Sequence, residues 1–269
     1  MKTPIHQGTA LITGASSGIG AIYADRLARA GYDLILVARR ADLLRSLAQD
    51  LTTRTGRSVE TLTADLTRAD DLARVESVLR TDASITLLVN NAGVGATAPL
   101  LQSDVAEMDR MIALNVSVPM RLAYAAAPAF VARGSGTIIN IASIVALQPE
   151  LLNGVYGGSK AFVLALSQSL QHELADKGVR VQAVLPGATA TGFWNVAGLP
   201  IENLPQEMVM SAEDMVDAAL AGLAMGETVT IPALPDIADW NALETARNAL
   251  RPGLSRTSPA ARYRVARAA

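Results

Sequence analysis

The chain has 269 residues, half of them apolar and 18% charged, with a formal net charge of −2. That length suits one compact domain with a substantial core, and the near-neutral balance excludes a protein whose work is to neutralise nucleic-acid phosphates. With no cysteine and two histidines far apart, His6 and His172, neither a disulfide framework nor a metal site is expected.

Residues 1–8 read as a short N-terminal extension without an apolar signal segment. The longest suspicious apolar stretch, 122–132, is too short to span a bilayer and contains Pro128, so a cytoplasmic protein with no membrane partner is expected. From Thr9 onward, short apolar runs alternate with longer stretches of helical spacing, the pattern of a parallel sheet covered by helices. Strands are expected at 9–13, 32–38, 59–64, 87–90, 137–141, 179–185 and 228–231. Helices are expected at 19–30, 41–55, 68–81, 105–133, 156–177 and 212–225. The stretch 105–133 is two helices or one bent helix, because Pro119 and Pro128 each remove an amide donor. Such regular alternation predicts one doubly wound α/β domain over 9–247. Within it, residues 188–210 mix Gly, Pro, Phe193 and Trp194 where a substrate cover would overhang the strand ends. Residues 248–269 hold five arginines and no acidic residue and read as a basic tail or subunit contact, with no nucleic-acid role.

The first strand empties into TGASSGIG, with Gly14, Gly18 and Gly20 around Ile19. This is neither the GxGxxG nor the Walker A spacing, yet the physical purpose can be the same. Glycines after a first strand allow a tight turn and close approach of a pyrophosphate to the amides of a helix start, and Ser16 and Ser17 add hydroxyls. The second strand ends in Ala38, Arg39 and Arg40, with no carboxylate before Asp42. A carboxylate at that strand end would hold the ribose hydroxyls of NAD, whereas a guanidinium pairs with a 2′-phosphate. The expected cofactor is therefore NADP, selected chiefly by Arg39.

Ser143 follows the fifth strand, Tyr156 comes thirteen residues later, and Lys160 stands one helical turn beyond it. An ammonium beside a phenol lowers its pKa, which would let Tyr156 act as acid or base near neutrality. With these motifs in this order, the chain resembles the classical short-chain dehydrogenase/reductase family over residues 9–231. The resemblance implies a single-domain Rossmann-type sheet of the seven strands above, with helices on both faces. It places the adenine at Asp65 and Leu66, and the NNAG motif at Asn90, Asn91, Ala92 and Gly93. Pro186, Gly187, Thr189 and Thr191 follow the sixth strand toward the carboxamide. The catalytic set it implies is Asn115, Ser143, Tyr156 and Lys160: Ser143 hydrogen-bonding the substrate oxygen, Tyr156 exchanging its proton, Lys160 holding the nicotinamide ribose, and Asn115 supporting a water near Lys160.

The implied activity is hydride transfer between NADPH and a ketone or aldehyde, or the reverse from an alcohol, in a homodimer or homotetramer. One alternative is a 3-oxoacyl thioester reductase; one of another class is a non-catalytic nucleotide-sensing or scaffolding protein. Val94, Val145, Leu147, Leu151, Leu152, Phe193 and Trp194 are the candidate apolar lining of a substrate pocket.

Overall fold

Successive residues of the central strands pack on opposite faces of one sheet, as the period of two requires. In β1 (Thr9–Thr13), Ala10 and Ile12 face one layer and Leu11 the other; in β2 (Asp33–Ala38), Leu34 and Leu36 oppose Ile35 and Val37. The edge strand β3 (Val59–Thr63) is mostly exposed. The alternation resumes in β4 (Ile85–Asn90) and β5 (Gly136–Ile141), then β6 (Val179–Val184) and the short β7 (Val229–Thr230) complete the sheet. A computed structural model describes residues 7–263; residues 1–6, including His6, and 264–269 of the basic tail lie outside the described residues.

Two layers of helices cover the sheet. On one face lie α1 (Gly18–Arg29), α2 (Ala41–Thr55) and α8 (Ala212–Met225), contributing Tyr23, Leu27, Leu44, Leu51, Met215 and Val216. The other face is covered by α3 (Ala69–Thr81), α5 (Val118–Arg133) and α6 (Gly154–Leu174), through Leu72, Val75, Leu122, Phe130 and Leu170. Burial of each such Leu, Ile or Phe contributes roughly 1.5–3 kcal/mol. All seven strands are parallel, in the order β3-β2-β1-β4-β5-β6-β7. The order reverses between β1 and β4, and the crevice at their carboxyl ends is where ligands bind in such sheets. The fold is the doubly wound Rossmann type.

The helical stretch 105–133 is interrupted just ahead of Pro119 and continues past Pro128. It consists of α4 (Val105–Ile112), one wide π-type turn (Ala113–Ser117) and α5, with the Val118 amide bonded to the Ala113 carbonyl five residues back. Pro119 lies in the first turn of α5, where its missing amide is tolerated, and Pro128 sits inside a helix that continues past it. The widened turn carries Asn115. Two further helices have weak sequence signals. The five-residue α7 (Phe193–Ala197) lies within the 188–210 segment, and α9 (Ile237–Ala249), capped by Asp236 through the Ala238 amide, presents no broad apolar stripe. The described residues divide into two compact units, one running to Pro232 and one starting at Ala233, with the whole sheet in the first. Among the described residues, no helix is long and apolar enough to cross a membrane.

Candidate active site

The glycine loop is built by conformation and by close packing. Gly14 and Gly18 have φ of 65° and 54°, in the left-handed region that other residues enter at a cost. A Cβ on Gly20 would lie 2.4 Å from the Gly14 carbonyl oxygen, and one on Gly18 would lie 3.2 Å from the Thr191 side chain. Ser17 caps α1 in an extended conformation without a side-chain bond, which leaves first-turn amides to face an anion. Arg40 Nη2 donates to Ser16 Oγ and Ser17 Oγ at 3.3 and 2.8 Å. Its exposed neighbour Arg39 lies close enough to help hold the Asp65 carboxyl below its usual range, after the larger effect of the Thr67 hydroxyl bond. The cradle thus has the shape, open amides and cations that a dinucleotide phosphate would need.

The NNAG segment locks this loop to the sheet. Thr13 Oγ1 accepts from the amides of Asn91 and Ala92, both at 3.0 Å, and Asn91 Nδ2 donates to the Thr13 and Gly14 carbonyls. Asn90 Nδ2 reaches Asn140 Oδ1 at 2.9 Å, and Asn140 Nδ2 reaches Ser167 Oγ at 2.9 Å. Across the crevice, Leu66 is buried in the core beyond β3, and Asp65 closes a tight turn onto Thr67.

At the carboxyl end of β5, Ser143 is buried, and its hydroxyl lies 3.3 Å from the Pro186 carbonyl. That bond is long, and the Ser143 hydroxyl stands near enough to the Tyr156 phenol to favour its ionised form. Gly187 follows in the same turn; Thr189 bonds its carbonyl, and Thr191 stands over Gly18. Tyr156 and Lys160 face the same side of α6, with Lys160 Nζ 5.9 Å from the phenol ring centroid and donating to the Ile141 carbonyl at 2.9 Å. Gly93 lies close by, where a Cβ would sit 3.6 Å from Lys160 Nζ.

The pKa directions differ from the sequence expectation. Burial pushes Tyr156 up to about 12, with the nearby Ser143 hydroxyl pulling weakly the other way, and burial lowers Lys160 to about 8. Desolvation disfavours the charged form of each group, and here it outweighs the attraction of the ammonium for a phenolate.

Asn115 is buried, and its side chain makes no hydrogen bond to Lys160. Its Oδ1 accepts from the Val94 amide at 3.0 Å, while Nδ2 donates to the Val94 carbonyl at 2.8 Å and Ser159 Oγ at 3.1 Å. It therefore fixes the strand-end loop that runs from Gly93 past the site. Around Tyr156 the side chains are apolar: Val94, Met111, Val145, Leu152 and Phe193 pack there. Of the other expected lining residues, Trp194 is buried beside Phe193, Leu147 is half-buried outside this cluster, and Leu151 is exposed. His172 is exposed near the far end of α6. Among the described residues there is no metal-binding cluster.

One site residue escaped the sequence reading. Asn153 caps α6 through Oδ1 to the Val155 and Tyr156 amides, and its Nδ2 donates to the Ala98 carbonyl at 2.7 Å and Ser103 Oγ at 3.0 Å. Its signal was an Asn directly ahead of a helix start.

A model of the short chain dehydrogenase family matches residues 8–198, more than half of the chain. The chain belongs to the short-chain dehydrogenase family. Among solved structures of the family, a short-chain dehydrogenase from Sphingobium yanoikuyae in complex with NADPH is 49% identical, with a TM-score of 0.93, over 96% of this chain and 100% of that one. A bulky-bulky ketone specific alcohol dehydrogenase from Comamonas testosteroni is 45% identical with a TM-score of 0.89, over 98% of this chain and 100% of that one. An uncharacterized oxidoreductase of Staphylococcus epidermidis is 30% identical, covering 84% of this chain and 95% of its own length.

Proposed function

We propose that this enzyme transfers hydride between NADP(H) and ketones with apolar substituents, or the corresponding secondary alcohols. The observation that carries the reading is the buried Tyr156, beside Ser143 and backed by a buried Lys160, in an apolar surround at the sheet's carboxyl edge. The NADPH-bound Sphingobium relative and the ketone-specific Comamonas relative support the cofactor and the substrate class.

When bound, NADPH supplies the hydride and carries the redox chemistry. The chain's own residues position and protonate. A carbonyl oxygen between Ser143 and Tyr156 would accept from both hydroxyls, so the negative charge that develops on it meets donors already in place. With a pKa near 12, Tyr156 holds its proton at neutral pH and delivers it as the alkoxide forms. Lys160, anchored to the Ile141 carbonyl, puts an ammonium beside the phenolate that remains. Gly14, Gly18, Gly20 and the α1 amides would hold the pyrophosphate. Arg39 and Arg40, with Ser16 and Ser17, would hold the 2′-phosphate, and Asp65 and Leu66 would border the adenine. Thr189 and Thr191 would hold the carboxamide, and Lys160 the ribose. A cytoplasmic homodimer or homotetramer belongs to the same proposal.

The test follows NADPH consumption by absorbance over a panel of ketones, aldehydes and acyl thioesters. Tyr156→Phe is expected to lower kcat and kcat/KM together by roughly 100- to 10,000-fold while leaving NADPH affinity nearly intact. Wild-type rates in this variant would refute the assignment of the proton donor. Turnover of acyl thioesters alone would replace ketones as the substrate class.

A further inference from the structure

Gly95 follows Val94 at the edge of the site, and its backbone is not in the left-handed region. No turn requires a glycine there; space does. A Cβ on Gly95 would lie 2.2 Å from Phe193 Cζ and 3.0 Å from both Cε atoms, so the phenyl ring points its tip at the Gly95 Cα. On its other side the ring meets Tyr156, with centroids 6.0 Å apart and planes tilted by 43°, which is contact distance for two aromatic rings.

The backbone on both sides of this contact is tethered. Asn115 holds the Val94 amide and carbonyl, so Gly95 has little freedom to recede. After Phe193, Trp194 packs edge-on at 5.7 Å and donates its indole N–H to the Thr189 carbonyl at 2.9 Å. The α7 carboxyl end is fastened where the Ala197 carbonyl accepts from the Thr97 amide at 3.2 Å and hydroxyl at 2.9 Å. Between these ties, the Phe193 side chain is held by packing alone.

We infer that Phe193, seated on Gly95, is the specificity-determining wall that limits the size of one ketone substituent. The inference rests on the ketone-reductase reading above. A substituent on that side of a carbonyl bonded to Tyr156 meets the ring directly. Apolar pockets discriminate by steric fit, and one methylene changes kcat/KM by about 10- to 200-fold.

The experiment measures kcat/KM for acetophenone, propiophenone, butyrophenone and valerophenone in the wild type, Phe193→Ala, Gly95→Ala and the double variant. Phe193→Ala is expected to raise the valerophenone/acetophenone ratio by about tenfold or more, the worth of at least one methylene. Gly95→Ala drives a Cβ into the ring and should change the same ratio when Phe193 is present. In the Phe193→Ala background its effect should largely vanish, the mark of two coupled residues. Thermal melts of each variant show whether it is folded, and Phe193→Leu supplies a milder truncation with an intermediate ratio. If folded Phe193→Ala and Phe193→Leu keep the wild-type ratio while the wild type reduces these ketones, the wall assignment falls and the reductase reading stands. If Gly95→Ala acts equally in both backgrounds, the seat on Gly95 is refuted. If the wild type reduces no ketone, the reductase reading fails and this inference with it.

Discussion

Lys160 shows what a buried charge costs at a working site. Its neighbours offer one carbonyl acceptor, Ile141, and burial lowers its pKa from 10.5 to about 8. Between these two values the unfolded chain binds more protons at this position than the folded chain does, so stability rises with pH across the window. Below about pH 8 both states are protonated and the full desolvation penalty is present. Lys160→Met removes the titration while keeping much of the volume. From pH 7 to pH 10 the stability of the wild type relative to this variant is therefore expected to increase by roughly 2 kcal/mol. Urea unfolding of both proteins at the two pH values measures it, and an unchanged difference would show that the ammonium is better solvated than its burial implies. The same substitution should abolish most turnover, the usual exchange of function for stability at a strained site.

At the scale of elements, the start of α6 and the loop 94–103 behave as one piece because Asn153 serves both. Its Oδ1 caps the helix that carries Tyr156, and its Nδ2 holds Ala98 and Ser103. Asn153→Ala loses a cap worth about 0.5–2 kcal/mol and strips a donor from the Ala98 carbonyl. A stability loss of about 1–3 kcal/mol in urea unfolding is expected, together with a fall in kcat larger than any change in NADPH affinity. Wild-type kcat in a destabilised variant would make Asn153 a purely structural cap.

These elements also show what was legible in the sequence. The bounds of α2 and α8 were readable because Gly56 and Gly226 stop them in left-handed conformations and Ser211 caps the second. β1 was readable from its apolar run into the glycine loop. The interruption ahead of Pro119 was readable from the proline, but the widened turn at Asn115 was not, because it carries a side chain bonded to Val94, twenty-one residues away. Likewise α9 has no apolar stripe to announce it, with Ile237 and Leu243 both exposed. The motif residues of the site were legible as a set. The contact between Phe193 and Gly95 was not, since it joins residues distant in the chain through packing alone.

Across the whole molecule, the reversal of strand order between β1 and β4 separates two groups of candidate site residues. The β3-β2-β1 half presents Arg39, Arg40 and Asp65, while the β4-β5-β6-β7 half presents Ser143, Tyr156, Lys160 and Thr191. On the proposed assignment, recognition of the adenosine end and proton transfer at the carbonyl would belong to different halves of the fold, joined by the glycine loop and the Thr13–Asn91 bonds. A change confined to the first half should alter which cofactor binds and not how fast the bound one reacts. Arg39 is exposed at the end of β2, with Ala38 in place of a carboxylate. A charge-assisted bond from its guanidinium to a 2′-phosphate would be worth about 1.5–3 kcal/mol, or about 10- to 100-fold in affinity. Arg39→Ala is expected to weaken NADPH by that factor, leave NADH nearly unchanged and keep kcat at saturating cofactor. Arg39→Asp should go further toward NADH, because repulsion is added to the lost attraction. Arg40 also braces Ser16 and Ser17, so its removal should weaken NADPH through the lost charge and both cofactors through the disturbed glycine loop. Titration of NADPH and NADH against the wild type and the three variants measures these changes, and an unchanged NADPH/NADH ratio in Arg39→Ala would refute the division of labour between the halves.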